Sequence, residues 1–295
     1  MHEKFKGTGV AVVTPFTEKA DIDYPSFEKI LEHIIAGGVE YIVLLGTTGE
    51  SPTVSKEEKP VLLAFTAGKI NKRVPLVLGV GGNNTADVVS SLDKTDFNVV
   101  DAVLSVCPYY NKPQHEGIYQ HFKAVAEASP VPVILYTVPS RTSSNISAST
   151  TIRLATDFGN IIGIKEASGN FDQIYQVLKN RRDHFLVISG DDGITLPLLA
   201  AGADGVISVV ANAYPRHFSD MVRYSLAGDF GKARLLHYQL VDFMNALFSD
   251  GSPSGIKAAL EIKGLCRNFL RLPLVPVNKD AYALIKKMIT QIESK

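Results

Sequence analysis

The chain has 295 residues, 45% apolar and 20% charged, which excludes a disordered chain and leaves room for one large α/β domain or two smaller ones. Its 30 Lys and Arg balance 30 Asp and Glu, so no basic excess points to nucleic acid or an anionic membrane. Two cysteines, Cys107 and Cys266, exclude a disulfide scaffold and a cysteine-rich zinc site. Behind the charged start Met1–Lys6 there is no apolar stretch, so no signal peptide is expected. No apolar run approaches the ~18 residues of a membrane helix, and the expected location is the cytoplasm.

In chain order, eight runs rich in Val, Ile and Leu read as strands: 8–13, 41–45, 76–80, 102–106, 133–136, 161–165, 185–189 and 205–209. Their near-continuous apolar character is that of strands buried on both faces, as in a parallel sheet. Helical stripes lie between them. Phe27, Ile30, Leu31, Ile34 and Ile35 form one, stopped by Gly37-Gly38. Ser55 to Glu58 reads as a capping box opening a helix whose apolar face is Val61, Leu62 and Phe65. Ile118, Tyr119, Phe122, Val125 and Ala126 make another, and Ile174, Val177 and Leu178 the next. This rhythm predicts an α/β fold, a (β/α)₈ barrel over residues 1–225, followed by a helical extension over 226–295. An open doubly wound sheet is the alternative; it requires a reversal of strand order.

Active sites of such barrels lie at the C-terminal ends of the strands. That rule selects Gly46-Thr47-Thr48-Gly49-Glu50, Gly79 to Asn84, Pro108 to Asn111, Tyr136 to Arg141, Lys165-Glu166 and Gly190-Asp191-Asp192. Period two places Ile161, Gly163 and Lys165 on one strand face. Turned inward, Lys165 reaches a poorly solvated mouth with Gly163 leaving room beneath its stem, and a neutral amine there attacks a ketone to form a Schiff base. On spacing alone, a lysine closing a strand with its head in water is the simpler reading. Tyr136 closes the preceding run and can relay protons to such a centre, or be a core tyrosine. Gly46–Gly49 is a tight turn, or a set of N–H groups for a carboxylate; no P-loop Gly-Lys-Ser/Thr follows. Gly79 to Asn84 lacks the last glycine of a dinucleotide fingerprint and reads as a turn before a helix. Asp191-Asp192 reads as a cap for a helix near Ile194 rather than a metal site. Arg141 is a surface arginine or a grip for a substrate carboxylate.

Together, Gly46-Thr47-Thr48-Gly49-Glu50-Ser51, Pro108-Tyr109-Tyr110-Asn111-Lys112-Pro113, Tyr136-Thr137-Val138-Pro139-Ser140-Arg141-Thr142 and Gly163-Ile164-Lys165-Glu166 resemble the pyruvate-dependent class I aldolase and lyase family, which includes N-acetylneuraminate lyase. The likeness runs from Gly7 to about Pro276 and takes in Ser189 to Asp192, Gly205 to Val209 and Gly255-Ile256-Lys257-Ala258.

The resemblance implies that Lys165 condenses with pyruvate and that the enamine attacks L-aspartate 4-semialdehyde, in lysine and diaminopimelate biosynthesis. It implies a proton relay of Tyr136, Thr47 and Tyr110, with Tyr110 supplied by a neighbouring subunit. Thr48 and Gly49 would bind the pyruvate carboxylate, Arg141 the carboxylate of the second substrate, and Gly190 and Ile207 would offer backbone carbonyls. No metal or organic cofactor is implied, because the iminium is the electron sink. Thr47 and Arg141 favour this branch over the sugar-acid lyases. A non-catalytic keto-acid-binding barrel is the third reading, which the four intact relay and Schiff-base residues argue against. A homotetramer of two tight dimers is implied. Thr137 and Cys107 depart from the family's usual Asn and Thr and put the pocket wall in question. Ser51, Asn83, Asp87 and Tyr109 match a regulatory site for lysine, but Lys56 and Lys59 replace its histidines, so weak or absent lysine feedback is expected.

Overall fold

The computed structural model describes residues 2–294. Strands form at all eight apolar runs: β1 (Gly7–Ala11), β2 (Tyr41–Leu44), β3 (Leu76–Gly81), β4 (Ala102–Val106), β5 (Val133–Thr137), β6 (Ile161–Glu166), β7 (Leu186–Ser189) and β8 (Gly205–Ser208). Neighbours are consecutive and parallel, and β1 closes on β8 with Gly7 opposite Gly205. Closure in sequence order removes the doubly wound alternative. It also explains a glycine at the seam: a Cβ on Gly205 would stand 2.1 Å from the Gly7 carbonyl oxygen.

The strands bury two layers, as alternating side chains require. Tyr41, Val43, Val77, Leu104, Ile134, Leu186, Ile188 and Ile207 fill the barrel interior with Phe5, which precedes β1 and meets Tyr41 edge-on at 5.8 Å. Val10, Ile42, Leu44, Val103, Leu135, Ile164, Val187 and Val206 face outward into the helical layer. Strict alternation fails in β6. The β5–β6 register slips, with Val133 opposite Ile161 and Ile134 opposite Gly163. Ile161 therefore packs outward and Ile162 inward, against the expectation that Ile161 shares the face of Lys165. An irregularity of this kind re-aims the residues beyond it.

The helices are α1 (Tyr24–Ala36), α2 (Glu58–Ile70), α3 (Thr85–Asp93), α4 (His115–Ala128), α5 (Pro139–Thr142), α6 (Ala148–Asp157), α7 (Phe171–Asn180), α8 (Thr195–Ala200), α9 (Pro215–Leu226), α10 (Phe230–Phe248), α11 (Ser254–Ile262) and α12 (Lys279–Glu293). α1 ends where Gly38 takes a φ of +79°. Ser55 and Glu58 form the expected reciprocal box, with Glu58 N donating to Ser55 Oγ at 3.2 Å and Ser55 N to Glu58 Oε2 at 2.8 Å. The buried face of α2 is Leu62, Leu63, Thr66 and Ile70; Val61, expected there, is 56% exposed.

The acidic pair after β7 also departs from expectation. Ile194 precedes α8 with no side-chain cap. Asp192 reaches instead across to the end of β8, where its Oδ2 accepts the Val209 and Val210 N–H groups, each at 3.0 Å. It thereby ties a 3₁₀ turn, Val210–Asn212, to the loop after β7. α10 packs on α8 and α9, α11 on that 3₁₀ turn, and α12 on α10 and α11. One apolar core runs continuously across residues 225 and 226 into these last helices. Among the described residues no helix is long and apolar enough to cross a membrane.

Candidate active site

Lys165 and Tyr136 are register partners at the ends of β6 and β5. Both are only 6% exposed, and the Lys165 Nζ lies 4.4 Å from the centroid of the Tyr136 ring. The phenol therefore forms one wall around the amine. Space for the lysine stem comes from the residue just after β7: a Cβ on Gly190 would stand 3.0 Å from Lys165 Cε and 2.7 Å from the Ala167 Cβ. Gly163, expected to supply that space, serves a different contact. A Cβ there would meet the Leu186 carbonyl oxygen at 2.7 Å, so its glycine allows β6 and β7 to approach. The Gly190 N–H donates to the Glu166 carbonyl at 2.8 Å, locking the two strand ends together.

The loop after β2 is two overlapping tight turns, with Gly49 N donating to the Gly46 carbonyl and Glu50 N to the Thr47 carbonyl, both at 3.1 Å. Leu45 and Glu50 flank it with φ of +58° and +53°. Thr48 is buried and Thr47 exposed. Thr14 Oγ1 donates to the Gly49 carbonyl at 2.7 Å, anchoring the loop to the end of β1. Gly79, within β3, acquires a reason here: a Cβ on it would lie 2.4 Å from the Leu45 carbonyl oxygen.

Ile207 is buried in the barrel interior on β8, and Arg141 is exposed on the single turn of α5, just beyond β5. Tyr110 does not join Lys165 within this chain. It is 86% exposed, with a φ of +73°, and Tyr109 beside it is also exposed. Ser51 is half-buried, while Asn83 and Asp87 are exposed. Asn111 Nδ2 donates to the Asn83 carbonyl at 2.9 Å, joining the loops after β3 and β4. Lys59 is half-buried, and burial together with the neighbouring Lys56 charge lowers its pKa.

Behind the strand ends lies a polar network that no motif announces. Glu166 is 1% exposed and accepts Ser168 N at 2.8 Å and Gln173 Nε2 at 3.0 Å. Burial raises its carboxyl above the usual range, against those two bonds. Gln173 also meets Asn145, whose Oδ1 accepts Thr137 Oγ1 at 3.1 Å. Thr137 thus faces the helical layer, as does Cys107, which is wholly buried in the outer core. Neither departure from the family pattern lies on the barrel's inner wall. Only the identity of Glu166, next to Lys165, hinted at this network; its partners are brought in from separate loops.

The chain matches the family model described as the dihydrodipicolinate synthetase family over residues 4–292. It is 53% identical over 278 residues to the 4-hydroxy-tetrahydrodipicolinate synthase of Flavobacterium psychrophilum, covering 94% of this chain and 95% of that one. It is 49% identical over 290 residues to the enzyme of the same name from Parabacteroides distasonis, covering 98% of each. Its fold is similar to the crystal structure of dihydrodipicolinate synthase from Thermotoga maritima, with a TM-score of 0.96, 38% identity, and coverage of 98% of this chain and 99% of that one. An inward lysine against a tyrosine at the C-terminal mouth of a closed barrel, with these matches over nearly the whole length, places the chain in the dihydrodipicolinate synthetase family.

Proposed function

We propose that this chain condenses pyruvate with L-aspartate 4-semialdehyde through a Schiff base on Lys165, the activity named for its relatives. The observation that carries the reading is the buried Lys165 amine held against the Tyr136 ring at the catalytic end of the barrel. The amine adds to the pyruvate ketone, and loss of water leaves an iminium. Loss of a methyl proton turns the iminium into an enamine, whose carbon attacks the aldehyde. The amine of the second substrate then adds to the iminium carbon, closes the ring and expels Lys165. Tyr136 with Thr47 and Tyr110 moves the protons; Thr48 and Gly49 hold the pyruvate carboxylate, Arg141 the carboxylate of the second substrate, and the carbonyls of Gly190 and Ile207 line the site.

Exposure of Tyr110 supports a second copy of the chain that brings this phenol into its partner's site, in a dimer or a tetramer of two dimers. Two free, buried thiols support a reducing compartment such as the cytoplasm. Lys56 and Lys59, standing where lysine-sensitive relatives of the family carry histidines, support weak or absent feedback by lysine, whose own charge two ammonium groups would repel; strong inhibition at sub-millimolar lysine, the order of magnitude of a working regulatory site, overturns that part.

Borohydride reduction in the presence of pyruvate tests the chemistry. A stable adduct on Lys165, absent in Lys165→Ala, is expected; no adduct leaves a keto-acid-binding barrel. Turnover with aspartate semialdehyde but not N-acetylneuraminate is expected, and the reverse preference assigns the chain to the sugar-acid lyases.

A further inference from the structure

The loop after β2 is anchored at Gly49 by Thr14 Oγ1 and, at its far end, by a second set of contacts. Its last residue, Glu50, is non-glycine with left-handed backbone, a conformation that persists only where its surroundings enforce it. Its carboxylate is buried, at 1% exposure, and so is Lys257 on α11, at 0%. The two form an ion pair. Lys257 Nζ also donates to the Phe269 carbonyl at 2.9 Å and lies 4.2 Å from the centroid of the Phe16 ring. Glu50 Oε2 accepts the Arg271 N–H at 3.3 Å. Arg271 in turn forks onto Glu58 with two bonds of 2.6 Å, donates to the Thr53 carbonyl at 2.7 Å, and has its Cζ 4.4 Å from the centroid of the same Phe16 ring. Glu50 is thus held by the Lys257 cation and the Arg271 main-chain N–H, and the segment after it by the Arg271 guanidinium.

A buried ion pair is a poor source of stability, because desolvation offsets most of the Coulomb attraction, but its geometry is exacting. We propose that Lys257 is a positioning residue for the reaction: through Glu50 it sets the conformation of Gly46–Glu50 and so the placement of Thr47, Thr48 and Gly49. The C-terminal helices then belong to the working site although they contribute no group that touches substrate. This inference rests on the Schiff-base reading above.

The double variant Lys257→Met with Glu50→Gln tests it, since neutralising both partners avoids leaving one buried charge alone. Active sites are counted by borohydride trapping with pyruvate. Turnover per trapped site is expected to fall about tenfold and the pyruvate KM to rise about tenfold, the scale of a catalytic group slightly misplaced. Hydrogen exchange at the Gly49 and Glu50 amides is expected to accelerate in the folded variant. Glu50→Gln alone, which keeps an acceptor for the Arg271 N–H, moves both readouts the same way and carries the test if the double variant does not fold. Fewer trapped sites with per-site constants and loop exchange unchanged is the signature of a merely structural pair and overturns the proposal. A wild-type chain that traps no pyruvate overturns the Schiff-base reading instead, and unaltered loop exchange then still rejects the grip.

Discussion

At Lys165 the decisive neighbours are one ring and one missing side chain. Tyr136 is held beside the amine by strand register, so Tyr136→Phe keeps the wall and loses only the hydroxyl. Pyruvate trapping is expected to survive in that variant while turnover drops about 10²- to 10⁴-fold, the usual worth of a proton-transfer group; comparing trapped adduct with kcat checks it. Gly190→Ala inserts a methyl 3.0 Å from Lys165 Cε and 2.7 Å from the Ala167 Cβ. The expected result is slower trapping with a stability loss of about 1–3 kcal/mol, as for other overpacked sites, measured by adduct formation rate and urea unfolding. Lys165 and Tyr136 were legible in the sequence because each closes an apolar run. The need for glycine at 190 was not, because it arises from a contact between two strands.

At the scale of elements, the strands were readable because burial on both faces writes each one as a local apolar run. Their irregularities were less so. The slip between β5 and β6 changes which of Ile161 and Ile162 faces inward, yet both are isoleucine, so composition carries no trace of it. On α2, Leu62 and Phe65 pack on the core as expected and only Val61, at the edge of the stripe, turns outward, because helical period alone does not fix where the buried face ends. Turn packing is similarly nonlocal. Gly79→Ala places a Cβ 2.4 Å from the Leu45 carbonyl oxygen, and backbone cannot step aside as a side chain can. A loss of at least about 1–3 kcal/mol, seen as a lower urea midpoint with unchanged slope, is expected, together with weaker pyruvate binding from the displaced β2 loop.

Over the whole molecule, two buried groups oppose each other in the response to acid. Burial pushes His121 down to about 4 from its ordinary 6.5. Its contribution is full above 6.5 and is lost as pH falls toward 4, because only the unfolded chain takes up the proton. Burial pushes Asp192 up to about 6 from 3.8, so the folded chain holds that proton longer. Stability from Asp192 is therefore present at low pH and lost as pH rises from about 4 to 6. Each effect is worth about 3 kcal/mol at most, and between pH 4 and 6 they largely cancel. Urea unfolding at pH 4, 5, 6 and 7 checks this. Asp192→Asn, whose amide oxygen still accepts the Val209 and Val210 N–H groups, is expected to steepen the loss of stability toward acid. His121→Gln is expected to reverse that slope below pH 6.

The sequence by itself determined the eight strands, their alternation with helices and the placement of Tyr136 and Lys165 at the ends of β5 and β6. These are local properties: a buried parallel strand is an apolar run, and its final residue is whatever follows. The tertiary structure alone decided that Gly190 makes room for Lys165, that Asp192 ties the end of β8 rather than capping α8, and that Lys257 grips the loop after β2. Each of these joins residues from different strands or from opposite ends of the chain. Their identity becomes meaningful only when barrel closure and the packing of α11 bring them within hydrogen-bonding or van der Waals distance, where burial makes every unpaired polar group costly.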